Sequence, residues 1–172
     1  MLTYQMASAL VAAIGFMATG TAMALTPNLN PQVHQPIVYS SAVYPAGVTW
    51  MEMLEADRVL YKLAERESAG TFDPFIVNPH DAKITGYVST GIFQYQPGTF
   101  LEFVKKYDAM PGATDEEIMM AINDPYIQIF ITRRTLIDGG WSHWYNSFIF
   151  LGLPRNYSPT WTPTASGLVF KK

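Results

Sequence analysis

Three short clusters in this chain carry side chains at spacings suited to chemistry: Glu67-Ser68, Asn78-Pro79-His80-Asp81, and Ser89-Thr90-Gly91-Ile92-Phe93-Gln94-Tyr95. Glu67 is the central member. Leu60, Leu63 and Ala64 recur at helical spacing, and Glu67 continues that series into the next turn. Its carboxyl therefore projects from the apolar face, while Glu65 and Arg66 point elsewhere. A carboxyl held against apolar side chains is costly to ionise, so its pKa rises, which suits a general acid near neutral pH. One such acid, followed by a small-residue turn and a Gly-x-x-Gln, is equipped to cut a polysaccharide.

The elements that must position these residues are helical. From Trp50 to about Arg66 there is no Gly or Pro, and one helix is expected to carry Glu67 at its end. Residues 69–89 contain prolines, glycines and Asn/Asp and read as a long loop or short irregular strands. Pro97 to Tyr107 is expected to be helical, with Phe100, Phe103, Val104 and Tyr107 on one stripe. Thr114 and Glu117 form a capping box for a short helix through Ile122. Asp124-Pro125 supplies an N-cap and a first-turn Pro for the next helix, with Ile127, Phe130 and Ile131 as its buried stripe and Gly139-Gly140 as its end. Trp141 to Phe150 predicts a last amphipathic helix bearing Trp144, Phe148 and Leu151 on one side. Beyond Pro154, the Pro/Ser/Thr-rich tail (154–172) reads as a surface strap. There is no internal repeat, and the expected fold is mainly α with irregular loops.

Composition narrows the function classes. With 172 residues the chain has room for one domain with a real core. Only 15% of residues are charged against 49% hydrophobic, so the surface is unusually neutral. The formal charge is -3 and the basic pairs (Lys105-Lys106, Arg133-Arg134, Lys171-Lys172) form no concentrated face, which argues against a nucleic-acid partner. The absence of cysteine excludes disulfides and thiolate zinc sites. His34, His80 and His143 are widely separated and form no ligand pair, so no metal and no cofactor is expected.

Ala7 to Ala24 is an uncharged run of small and apolar residues ending in Ala22-Met23-Ala24, a small-x-small pattern of the kind read by signal peptidase. No Lys or Arg precedes it. Residues 1–24 are therefore open to three readings: a secretory signal, an uncleaved membrane anchor of about 18 residues, or a helix buried in a larger assembly. Thr26 to Ala46 carries four prolines, so 25–49 is expected to be an extended linker ahead of a domain at 50–153.

Glu67-Ser68-Ala69-Gly70, then Asn78 to Asp81, then Ser89 to Phe100 (including Gln96-Pro97-Gly98-Thr99) together resemble the soluble lytic transglycosylase and goose-type lysozyme superfamily. Those proteins show a Glu-Ser, a Ser-x-Gly-Leu-Met/Phe-Gln segment and a Pro-x-Thr that opens the next helix. Trp141-Ser142-His143-Trp144 is similar to a C-terminal His-Trp of small members, and the resemblance covers roughly Val59 to Leu153. It implies a lysozyme-like domain that cleaves the β-1,4 bond between N-acetylmuramic acid and N-acetylglucosamine in peptidoglycan strands. Glu67 matches the single catalytic acid, which protonates the departing oxygen and then acts as base. The attacking group is the muramoyl 6-hydroxyl in lytic transglycosylases, giving a 1,6-anhydro sugar, and water in lysozymes. Ser68 and Gln94 match positions that hydrogen-bond near the acid or line the groove, and Gly91 the turn where backbone passes close to sugar. Tyr95 and Trp144 are candidates for stacking on sugar rings or for core packing.

The chain also departs from the pattern. Arg66 and Ser147 stand where small relatives often have cysteines, and Arg66 beside the acid would lower its pKa. Thr90 stands where Tyr or Ala is common. Glycosidases generally use a second carboxylate about 5–9 Å from the first. Asp73 and Asp81 are the candidates, but the family relies on one Glu assisted by the substrate's acetamido group, and Asp81 is expected to cap a loop. The resemblance implies an exported protein, periplasmic, extracellular or virion-associated. A lysozyme-like chain without turnover, serving as a structural or glycan-binding component of a secretion apparatus or virion, is the alternative.

Overall fold

The computed structural model describes residues 43–164 and 166–171. The apolar segment 1–24 and most of the Pro-rich stretch lie outside the described residues.

Where one helix was expected from Trp50, there are two. Helix α1 (Trp50–Glu55) opens on a capping box between Thr49 and Glu52, and α2 (Arg58–Glu67) opens on Asp57, whose side chain accepts from the N–H groups of Val59 and Leu60. Asp57 is buried and also accepts a 2.5 Å hydrogen bond from the Tyr157 hydroxyl. A carboxylate with those obligations cannot sit in a helix interior, so the chain breaks there.

The stretch 69–89, expected as a long loop or short irregular strands, holds a short ladder, in line with the second of these, and a helix that was not expected. Strand β1 (Val77–Asn78) pairs antiparallel with β2 (Ser89–Thr90), and α3 (Pro79–Thr85) fills the connection. Asn78 caps α3 through a 3.0 Å bond from the His80 N–H, Pro79 occupies the first turn, and Gly86 ends the helix at φ +81°. The cap is thus Asn78, and Asp81 is not a loop-capping residue.

Helix α4 (Pro97–Lys106) buries Phe100, Phe103 and Val104, as its stripe predicts. Helix α5 (Asp115–Met120) has the Thr114/Glu117 capping box, and α6 (Pro125–Ile137) starts on Asp124. Not one stripe of α6 but most of its circumference is buried, including Gln128, Thr132, Arg133 and Thr135, because α1, α2 and α4 all pack against it. The last predicted helix is a 3-10 turn (Trp141–Trp144) that leads directly into α7 (Tyr145–Leu151), which packs on α2.

The tail is not a surface strap. It forms a hairpin of β3 (Trp161–Thr164) and β4 (Gly167–Phe170), and Trp161 and Tyr157 belong to the core. Arg133 of α6 donates to the Trp161 carbonyl and stacks on its indole, 4.4 Å from the ring centroid, while Thr160 donates to the Ala56 carbonyl at 2.7 Å. The end of the expected linker is folded too: Val43 and Pro45 are buried. The fold of the described residues is mainly α, with α6 at its centre. Among those residues no helix is long and apolar enough to cross a membrane.

Candidate active site

Helix α2 ends immediately after Glu67. The Gly70 N–H reaches the Glu65 carbonyl at 2.7 Å and the Ala69 N–H reaches Arg66 at 3.3 Å, with Ala69 at φ +52°, a paired closure of the last helical turn. Glu67 is half-buried, in register with buried Leu60, Leu63 and Ala64. Its neighbours diverge as their positions require: Glu65 pairs with Lys62 at 3.2 Å, and exposed Arg66 lies over the Phe150 ring, 4.2 Å from the centroid.

Glu67 opens onto a cleft of about 550 Å³. Asn78 and Asp81 (β1 and α3), Ser89 (β2), Gln94 to Gln96, and Thr99 of α4 line it, together with Ser142 to Ser147 from the 3-10 turn and α7. Its volume is in the range of small-ligand sites, and its lining is mostly amide, hydroxyl and carboxyl groups suited to the many hydroxyls of a sugar.

Burial pushes the Glu67 carboxyl above the ordinary carboxylate pKa. A hydrogen bond from Ser147 and the charge of Arg66 oppose the rise, and the negative charge of Asp81 adds to it. Arg66 therefore lowers the value, as its place in the sequence suggests, but burial outweighs it. The Ser147 hydroxyl donates to Glu67 Oε1 at 2.5 Å from α7, eighty residues away. The sequence marks Ser147 only as standing, like Arg66, where small relatives often have cysteine; its contact with the acid depends on how α7 packs on α2.

Asp81 faces the same cleft. It accepts from Ser89 Oγ at 2.5 Å and from Asn78 Nδ2 at 3.2 Å, so both flanking clusters of the sequence serve to hold this second carboxylate. Asp73 lies elsewhere, exposed, accepting from the Phe75 N–H in a local turn.

The remaining candidates divide by burial. Gln94 lines the cleft, at φ +54°, with its amide donating to the Gly91 carbonyl at 2.8 Å. It closes a four-residue turn whose ends, Thr90 and Tyr95, exchange hydrogen bonds of 3.0 and 2.9 Å. Gly91 does not reach the cleft. It sits at φ +80°, and a Cβ there would lie 1.9 Å from Gln128 Nε2, so glycine is required by the packing of α6. Ser68 is fully buried behind the acid, accepting from the Phe72 N–H at 3.0 Å, and it secures the turn after α2. Thr90 likewise points inward, to Asn123 Oδ1 at 2.7 Å.

Tyr95 and Trp144 contribute to the cleft wall but are 3% and 7% exposed, which leaves no open ring face for a sugar. Their rings meet edge to face at 5.6 Å, the Tyr95 hydroxyl bonds Thr132 at 2.8 Å, and the Trp144 indole N–H donates to the Phe93 carbonyl at 3.0 Å. Burial raises the Tyr95 phenol well above its usual pKa, so it stays protonated. The aromatic with open surface is Tyr145, 53% exposed at the start of α7, which the sequence reading passed over. Exposed His143 also lines the cleft, its ring edge-on to Phe103 at 4.8 Å. Among the described residues no group of three or more His, Cys, Asp or Glu could hold a metal ion.

Comparison of the chain with family models, curated proteins and solved structures returns no match.

Proposed function

We propose that this chain is a peptidoglycan-cleaving lytic transglycosylase with Glu67 as its general acid and base. The observation that carries the reading is the half-buried Glu67 carboxyl, raised in pKa by burial, at the wall of a polar cleft. Its environment is the one expected of an acid that must hold a proton near neutral pH and release it to a leaving group.

In the proposed reaction a glycan strand lies along the cleft, between Asn78, Gln94 and Gln96 on one side and the 142–147 segment on the other. Glu67 gives its proton to the glycosidic oxygen as the bond from that oxygen to the anomeric carbon breaks. The substrate's acetamido group supports the positive charge left on the sugar ring. The Glu67 carboxylate then takes the proton of the muramoyl 6-hydroxyl as its oxygen attacks the anomeric carbon, which regenerates the acid and closes a 1,6-anhydro ring. Exposed Tyr145 is the side chain available to stack on a sugar face.

One observation favours hydrolysis as a second outcome. Asp81 offers a carboxylate on the same cleft, and a second carboxylate is what glycosidases use to activate water. The test of the shared step is clearance of a peptidoglycan suspension by the wild-type chain and by Glu67→Gln. The proposal expects clearance by wild type and a loss of at least about a hundredfold in the variant, the scale of an acid–base contribution. Equal clearance by both would remove Glu67 from the chemistry.

A further inference from the structure

We propose that Ser147 is a positioning residue for Glu67: its hydroxyl holds Oε1, so that the transferable proton resides on Oε2, the oxygen open to the cleft. The inference rests on the reading of Glu67 as the acid and assigns the working oxygen within that carboxyl.

Three observations support it. Ser147 is 8% exposed and its Oγ lies 2.5 Å from Glu67 Oε1, so the hydroxyl has little freedom to turn to water instead. Oε2 has no hydrogen-bond partner among the described residues. Nor is it one of the sealed polar atoms without a partner, which are Arg133 Nε, Thr135 Oγ1 and Trp161 Nε1. It is therefore not sealed from solvent by the described residues, and it sits on a residue that lines the cleft. Finally, the donor and the acid sit on α7 and α2, which pack directly together. The contact is consequently held by the core and not by a loop.

The consequence is chemical. A hydroxyl that donates to Oε1 in the acid form shortens the list of places for the carboxyl proton to one. As that proton leaves for the glycosidic oxygen, the growing negative charge on the carboxylate is met by a donor already in place, with no reorganisation at the moment of transfer. The charges of Arg66, which lies over Phe150, and of Asp81, which faces the cleft, act in opposite directions on Glu67, and His143, Tyr145 and protonated Tyr95 line the cleft. None of these hydrogen-bonds either carboxyl oxygen, so among the described residues Ser147 is the side chain that fixes the carboxyl's rotation.

The experiment follows the Glu67 carboxyl carbon by NMR through a pH titration, and in parallel the pH–rate profile on a peptidoglycan suspension. Full-length wild type, Ser147→Ala and Ser147→Thr are compared. Loss of the donor in Ser147→Ala should raise the Glu67 midpoint and move the alkaline limb of the rate profile to higher pH. It should also lower kcat about tenfold with KM little changed, as expected for loss of one hydrogen bond to a charged group. Ser147→Thr, which keeps the hydroxyl, should restore both. If Ser147→Ala fails to fold, Ser147→Cys, a weaker donor of similar size, should show the same upward displacement in smaller measure. A folded Ser147→Ala or Ser147→Cys whose Glu67 midpoint is unmoved overturns the proposal. A wild-type chain with no turnover would instead refute the enzymatic reading, while the midpoint would still decide whether Ser147 governs Glu67.

Discussion

Replacing Gly91 with Ala should destabilise the domain by about 3–5 kcal/mol. Gly91 is at φ +80°, where a side chain costs roughly 1–2 kcal/mol. The larger cost comes from Gln128. Its Nε2 would be 1.9 Å from the new Cβ, so its amide must move. That amide is buried and cross-links three backbone groups: Oε1 accepts from the Phe93 N–H at 3.0 Å, and Nε2 donates to Ile122 at 2.6 Å and Thr90 at 3.4 Å. Leaving even one such group unpaired costs about 1–3 kcal/mol. The Thr90–Tyr95 turn that presents Gln94 to the cleft is pinned to α6 by these bonds, so the loss of stability should appear with loss of activity. Urea unfolding of wild type, Gly91→Ala, Gln128→Ala and the double variant separates the terms. In the Gln128→Ala background the clash is gone, and Gly91→Ala should then cost only the roughly 1–2 kcal/mol of backbone strain. A cost in the wild-type background no larger than in the Gln128→Ala background would show that Gln128 can swing aside freely, contrary to its role as the anchor of that turn.

Other expectations follow from the same structure. Asp57→Ala removes both the cap of α2 and the acceptor for the buried Tyr157 hydroxyl, and should cost about 2–4 kcal/mol in thermal or urea unfolding; a near-neutral result would mean the tail is not tied to α2 through this bond. Because burial raises the Glu67 pKa above its ordinary 4.5, the native chain holds more protons than the unfolded chain between that value and the folded one. Stability therefore falls as pH rises through that window. Glu67→Gln removes the loss, so the variant should gain on wild type from acid to neutral pH in urea melts; a pH-independent difference would contradict the assignment.

Local signals in the sequence were legible where the side chain that makes the structure is close in the chain. The Thr114/Glu117 box, the Asp124-Pro125 start of α6 and the stripe of α4 depend on neighbours three or four residues away. The Leu60, Leu63, Ala64, Glu67 register was legible for the same reason, and it placed the one carboxyl on which the proposed chemistry depends. The break at Asp57 was missed because its decisive partner, Tyr157, is a hundred residues distant. The tail's Pro/Ser/Thr composition concealed a hairpin whose Trp161 is buried under Arg133. Gly91 carried a true signal of close approach, and the neighbour the structure sets against it is Gln128. Asp81 was in view as a member of the Asn78–Asp81 cluster, whereas Ser147 and Tyr145 join the cleft through tertiary packing, and no spacing rule could have gathered them.

The central claim is that Glu67 transfers a proton to a glycosidic oxygen. Mass spectrometry of peptidoglycan digested by the full chain, with Glu67→Gln in parallel, tests it most directly. The account predicts 1,6-anhydro muropeptides that vanish in the variant; hydrated reducing ends that vanish equally would keep Glu67 as the acid and transfer the second step to water, with Asp81 as its activator. Intact glycan from a folded wild-type chain, or products that persist undiminished in Glu67→Gln, would contradict it.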